Sequence, residues 1–90
     1  SVSRDITLKT LEHLEFAKIE NCIKESLAKT NLYYKVVPVS IYQAEGSETK
    51  NISFHLTFES PEKTLKAEEI SDIMEQVTKE ITTELGVELV

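Results

Sequence analysis

The chain is 90 residues long, with 16 acidic and 10 basic side chains and a formal charge of −6, which bounds it to one domain with a single modest core, near the size where stability is marginal. Cys22 is the only cysteine, so an internal disulfide framework and a Cys-rich zinc site are excluded by counting, and His13 and His55 fit no metal-ligand spacing. No apolar run approaches the roughly 20 residues of a membrane span, and the Ser start has neither the basic n-region nor the apolar h-region of a signal peptide. These features predict a soluble, cytoplasmic fragment taken from a longer chain.

Residues 2 to 9 read as a first strand, with Val2, Ile6 and Leu8 on one parity and Ser3, Asp5, Thr7 and Lys9 on the other. Arg4 shares the apolar parity, so it has to sit at an edge, reach around the sheet end or follow a bulge. Phe16, Ile19, Ile23 and Leu27 then recur at helical spacing, predicting an amphipathic helix to about Lys29 with Cys22 as a small buried hydrophobe. Glu20 with Lys24 and Glu25 with Lys29 stand in the favourable i, i+4 order on its outer face.

The run from Leu32 to Tyr42 is β-prone, and Pro38 inside it, having no N–H, argues for an edge strand, a bulge or a break. Inward Val37, Val39 and Ile41 would leave Ser40 and Tyr42 facing outward. Residues 44 to 49 form a polar hairpin turn around Gly46. With Gly46 and Gly86 the only glycines, both glycine-rich phosphate-loop motifs are impossible.

From Lys50 to Phe58 the alternation is strict: Ile52, Phe54, Leu56 and Phe58 against Ser53, His55 and Thr57. This is a strand with one buried face and one open face, and the open face is where a functional sheet surface would lie. After the connector Ser60-Pro61-Glu62-Lys63-Thr64-Leu65, a second helix carries the stripe Ile70, Ile73, Met74, Val77, Ile81 and Leu85, with Gly86 as its stop and Val87 and Leu89 in a short last strand. The order β-α-β-β-α-β predicts an α+β, ferredoxin-like fold, a four-stranded antiparallel sheet with two helices on one face. The acidic excess falls in the second half, mostly in that last helix as Glu68, Glu69, Asp72, Glu75, Glu80 and Glu84. An anionic partner would therefore approach the sheet side.

Arg4-Asp5 on the first strand, Ile41-Tyr42, the Lys50–Phe58 strand, Thr64-Leu65 before the second helix and Gly86-Val87-Glu88-Leu89 stand in an order and spacing that resembles the ferredoxin-fold anticodon-binding domain, the C-terminal domain of the bacterial-type phenylalanyl-tRNA synthetase beta subunit. The likeness covers nearly the whole chain as one domain, 1 to 90. It implies a module that binds the anticodon stem-loop of phenylalanine tRNA, while an alpha subunit, paired with beta in a heterotetramer, carries the ATP- and magnesium-dependent ligase chemistry. No catalysis or cofactor is expected within these residues.

Carried over position by position, the resemblance implies RNA contacts at Arg4, Asp5, Tyr42, Lys50, Ser53 and His55. His55 stands where arginine is expected in many members, and neutral imidazole contributes no charge to a phosphate contact. Lys66-Ala67 replaces a Thr-Asp helix cap, and the hairpin turn is acidic. The alternative is a protein-interaction or regulatory domain of the same fold, docking through its open sheet face or an edge strand. An acylphosphatase-like enzyme would need a glycine-bearing loop with an arginine, and residues 7 to 16 hold neither. One cysteine cannot hold an iron–sulfur cluster.

Overall fold

A computed structural model describes residues 2–90. Strand β1 (Val2–Leu11) is followed by helix α1 (Phe16–Ala28), the hairpin β2 (Tyr33–Tyr42) and β3 (Thr49–Glu59), helix α2 (Ala67–Leu85) and the two-residue strand β4 (Glu88–Leu89). The strands form one antiparallel sheet in the order β2-β3-β1-β4. This is the expected ferredoxin-like arrangement, with the most strictly alternating strand in the middle. Central position follows from composition, since β3 has a complete apolar face and pairs on both sides along its length.

The core lies between the helices and that face. Ile52, Phe54, Leu56 and Phe58 are fully buried, with Ile6 and Leu8 of β1, Ile19, Cys22, Ile23 and Leu27 of α1, and Ile70, Val77 and Ile81 of α2. Phe16, at the first turn of α1, stacks on Phe54 with ring centroids 5.4 Å apart. Each large side chain sealed this way stabilises the fold by about 1.5–3 kcal/mol. Gly86 ends α2 in the left-handed region, φ 68°, and its N–H reaches the Thr82 carbonyl at 3.1 Å, a backbone position that glycine takes without strain.

Two expectations change. Pro38 does mark both an edge strand and a bulge: Pro38 pairs with Phe54 and Ser40 with Ser53, leaving Val39 as the extra residue. The side-chain parity reverses there. Before the bulge Tyr34, Val36 and Pro38 lie on the helix side, and Val37, opposite His55, is on the open face rather than inward. After it Ile41, opposite Ile52, returns to the helix side, yet it is 60% exposed because neither helix covers that end of the hairpin. Ser40 and Tyr42 face outward as expected.

The second change concerns Lys29. Its ammonium does not pair with Glu25 but crosses to Glu80 of α2 at 3.0 Å, while Lys24–Glu20 forms within α1 as expected, at 2.9 Å. Lys29 lies at the C-cap, where the last turn gives way and the side chain leaves its own helix face. It joins the two helices at their shared surface.

Candidate nucleic-acid interface

The antiparallel register sorts the side chains into two faces, because directly opposed residues share a face. On the face away from the helices, Tyr42 stands opposite Asn51, and Asn51 opposite Lys9. The next rows are Ser40, Ser53 and Thr7, then Val37, His55 and Asp5, then Lys35, Thr57 and Ser3. Among the described residues no element lies over them.

Four of the six residues read as RNA contacts meet on this surface: Asp5, Tyr42, Ser53 and His55. Tyr42 is 66% exposed at the end of the edge strand, so its ring offers a free aromatic face. Ser53 Oγ and Thr7 Oγ1 are hydrogen-bonded at 2.8 Å. His55 Nδ1 lies 2.5 Å from Asp5 Oδ1. An ionised carboxylate can only accept, so Nδ1 carries the proton and a neutral ring keeps Nε2 as an acceptor. The surface thus combines a ring, hydroxyls, an amide and an oriented imidazole.

Arg4 and Lys50 are not part of it. Arg4 pairs with Leu56 without any bulge in β1, so it keeps the helix-side parity, and it resolves the sequence conflict by sitting at an uncovered edge. Its Nη1 donates to the Ser3 carbonyl at 2.8 Å. Lys50 pairs with Thr10 on the same side, half-buried, and its ammonium donates to the Leu14 carbonyl at 3.1 Å, holding the turn before α1. Asn51 and Lys9 were not singled out from sequence, although both lie on the parity of residues that were, Asn51 with Ser53 and Lys9 with Asp5.

Charge is divided along the same plane. The strands hold Arg4, Lys9, Lys35 and Lys50 against Asp5, Glu59 and Glu88, net +1, whereas α2 holds six acidic residues against Lys79, net −5. The open face is close to neutral and the acidic field lies behind it. Among the described residues no group of three or more His, Cys, Asp or Glu could hold a metal ion. Among the described residues no helix is long and apolar enough to cross a membrane.

A family model, the ferredoxin-fold anticodon binding domain, matches residues 1–90. The chain belongs to this family. A phenylalanine–tRNA ligase beta subunit from Streptococcus mutans is 32% identical over 99% of the chain, and those from Halalkalibacterium halodurans and Carboxydothermus hydrogenoformans are each 34% identical over 96% and 98% of it. The chain spans 11% of the length of each of these relatives. Unstacked bases bind by stacking on rings and by hydrogen bonds to their edges, and the open sheet offers both kinds of group.

Proposed function

We propose that these 90 residues are the anticodon stem-loop binding module of a phenylalanine–tRNA ligase beta subunit, placed at the C-terminal end of a longer cytoplasmic chain. The observation that supports it most is the convergence of Tyr42, Asn51, Ser53, His55 and Asp5 on one uncovered sheet face. A loop base stacks on Tyr42, while Asn51, Ser53 and the His55–Asp5 pair meet base edges and sugar hydroxyls. Arg4 and Lys50 support the sheet and the α1 turn rather than touch RNA. The module orients the tRNA; aminoacyl transfer takes place in the catalytic part of the parent, with its alpha-subunit partner, ATP and magnesium. The two glycines, Gly46 and Gly86, serve a turn and a helix end, so neither glycine-rich phosphate-loop motif is available here.

Binding of a labelled phenylalanine-type anticodon stem-loop tests this. Tyr42→Ala removes the stacking ring and is expected to weaken affinity by about 1–3 kcal/mol, roughly 5- to 150-fold. Unchanged affinity would contradict the reading. A second reading, docking of another protein element on this sheet, draws on the fact that six of the nine large exposed hydrophobics, Tyr33, Tyr34, Val37, Val39, Ile41 and Tyr42, lie on β2. Salt separates the two, because RNA affinity falls as salt rises while an apolar dock changes little.

A further inference from the structure

β4 covers only part of the edge it pairs with. β1 spans Val2–Leu11, yet β4 pairs with Leu8 and Lys9 alone, and the last rung is the Val90 N–H donating to the Thr7 carbonyl at 2.9 Å. In an antiparallel ladder alternate residues turn both peptide groups toward the same neighbour. Asp5 and Ser3, next in that series after Thr7, therefore present their N–H and C=O groups to an edge that no strand occupies. The Arg4 guanidinium folds onto the Ser3 carbonyl there, a charged side chain blunting an open edge.

Beside this edge runs a groove of about 560 Å³ between β1 and α2, lined by Asp5, Ile6, Met74, Thr78 and Leu89 together with the charged Glu75 and Lys79. Neither Glu75 nor Lys79 forms an ion pair among the described residues. We propose that the edge and groove seat an extended segment of the same polypeptide from outside these 90 residues, added antiparallel to β1 in line with β4. Its peptide groups bond Ser3 and Asp5 and displace Arg4. One apolar side chain enters between Ile6, Met74 and Leu89, and the residues two positions to either side, which share its face, are a basic one toward Glu75 and an acidic one toward Lys79.

Two observations favour this occupant. The relatives are several-fold longer than the chain, which spans 11% of their length, so most of a parent polypeptide is available. A second copy is disfavoured in two of the registers open to it: a two-fold pairing centred on Arg4 opposes two guanidiniums, one centred on Asp5 opposes two carboxylates, and like charges directly opposed across strands destabilise them. The proposal uses the Asp5 peptide group whereas the RNA reading uses its side chain, and α2 lies on the opposite side of the sheet from Tyr42, so a groove substitution on α2 tests the one apart from the other.

Single-amide hydrogen exchange on the 90-residue chain, which encloses its own core, and on the full-length parent tests it. In the parent the Ser3 and Asp5 amides are expected to exchange roughly 100-fold more slowly than in the isolated chain, as for amides moved from an open edge into a ladder. Thr78→Arg, which fills the groove, is expected to return both to the isolated rate while stem-loop affinity stays unchanged. Ser3→Pro, which deletes one edge donor at the strand start, is expected to free Asp5 in the parent. Equal rates in both proteins would overturn the proposal. So would protection in the isolated chain that rises with its concentration, which would assign the edge to a second copy.

Discussion

Cys22 sits between α1 and α2, 7% exposed, with its Sγ 3.5 Å from Glu84 Oε2. Burial, reinforced by that hydrogen bond and the charge of Glu84, pushes the thiol up to about 11, so it remains protonated and unreactive near neutral pH. Alkylation at pH 8 is therefore expected to be negligible in the native protein and complete in denaturant, read by intact mass. Its burial was legible from the helical spacing around it, but its contact with Glu84 was not, because that partner comes from 62 residues away. Lys66 is a different case, visible from sequence and unchanged by the structure. It is the N-cap of α2 and makes no side-chain capping hydrogen bond. Glu68 and Glu69 in the first turn offset this in part through the helix dipole. Lys66→Thr supplies the missing acceptor and is expected to raise stability by about 1 kcal/mol, seen as a higher urea midpoint with an unchanged slope.

The joint between α1 and α2 centres on Glu80. Gln76 Nε2 donates to its Oε1 at 2.8 Å and Lys29 Nζ at 3.0 Å, and hydrogen bonding, with Gln76 the largest contributor, holds the carboxyl down to about 2. A carboxylate depressed in the folded state stabilises it above the unfolded value, here 4.5, and that contribution is lost as pH falls from about 4.5 toward about 2. Glu80→Gln removes the titration. The stability gap between wild type and variant, measured by urea unfolding, is expected to shrink across that window and stay constant above it. The Lys29 partner could not be read from sequence, since i, i+4 spacing favours Glu25 equally and only the packing of the two helices brings Glu80 within reach. β2 shows the same limit on the scale of a strand. Pro38 announced an edge and an irregularity, but which residues changed face depended on the one extra residue at Val39. Val37 accordingly joined the open face beside His55. β3, with no proline or glycine and no interruption in its alternation, was readable residue by residue.

Across the whole molecule, the division of charge matters more than its total. The net −6 disfavours non-specific association with nucleic acid, yet the acid is concentrated in α2 and the sheet carries a slight positive balance. Lys9 and Lys35 are the basic groups that the register places on the open face. Two phosphate contacts correspond to a log–log salt slope of roughly −1.4 on single-stranded RNA. The isolated domain is thus expected to bind weakly, with a slope this shallow, in a titration from low to physiological salt; tight binding with a steep slope would mean that other basic groups take part. Fold class and element order were legible because hydrophobic periodicity is a local signal and four strands with two helices leave few topologies. The site was legible only in part. Tyr42, Ser53, His55 and Asp5 share a face that alternation reveals, and the same alternation puts Arg4 and Lys50 on the other one; what no spacing encodes is that their side chains reach the Ser3 and Leu14 carbonyls. The most direct measurement is an NMR titration of the isotopically labelled domain with a phenylalanine-type anticodon stem-loop and with a scrambled-loop control. Shifts confined to Lys9, Tyr42, Asn51, Ser53 and His55, larger for the true loop and absent from α2, are the expected result. Equal shifts with both loops, or shifts centred on the helices, would contradict binding through the open sheet face.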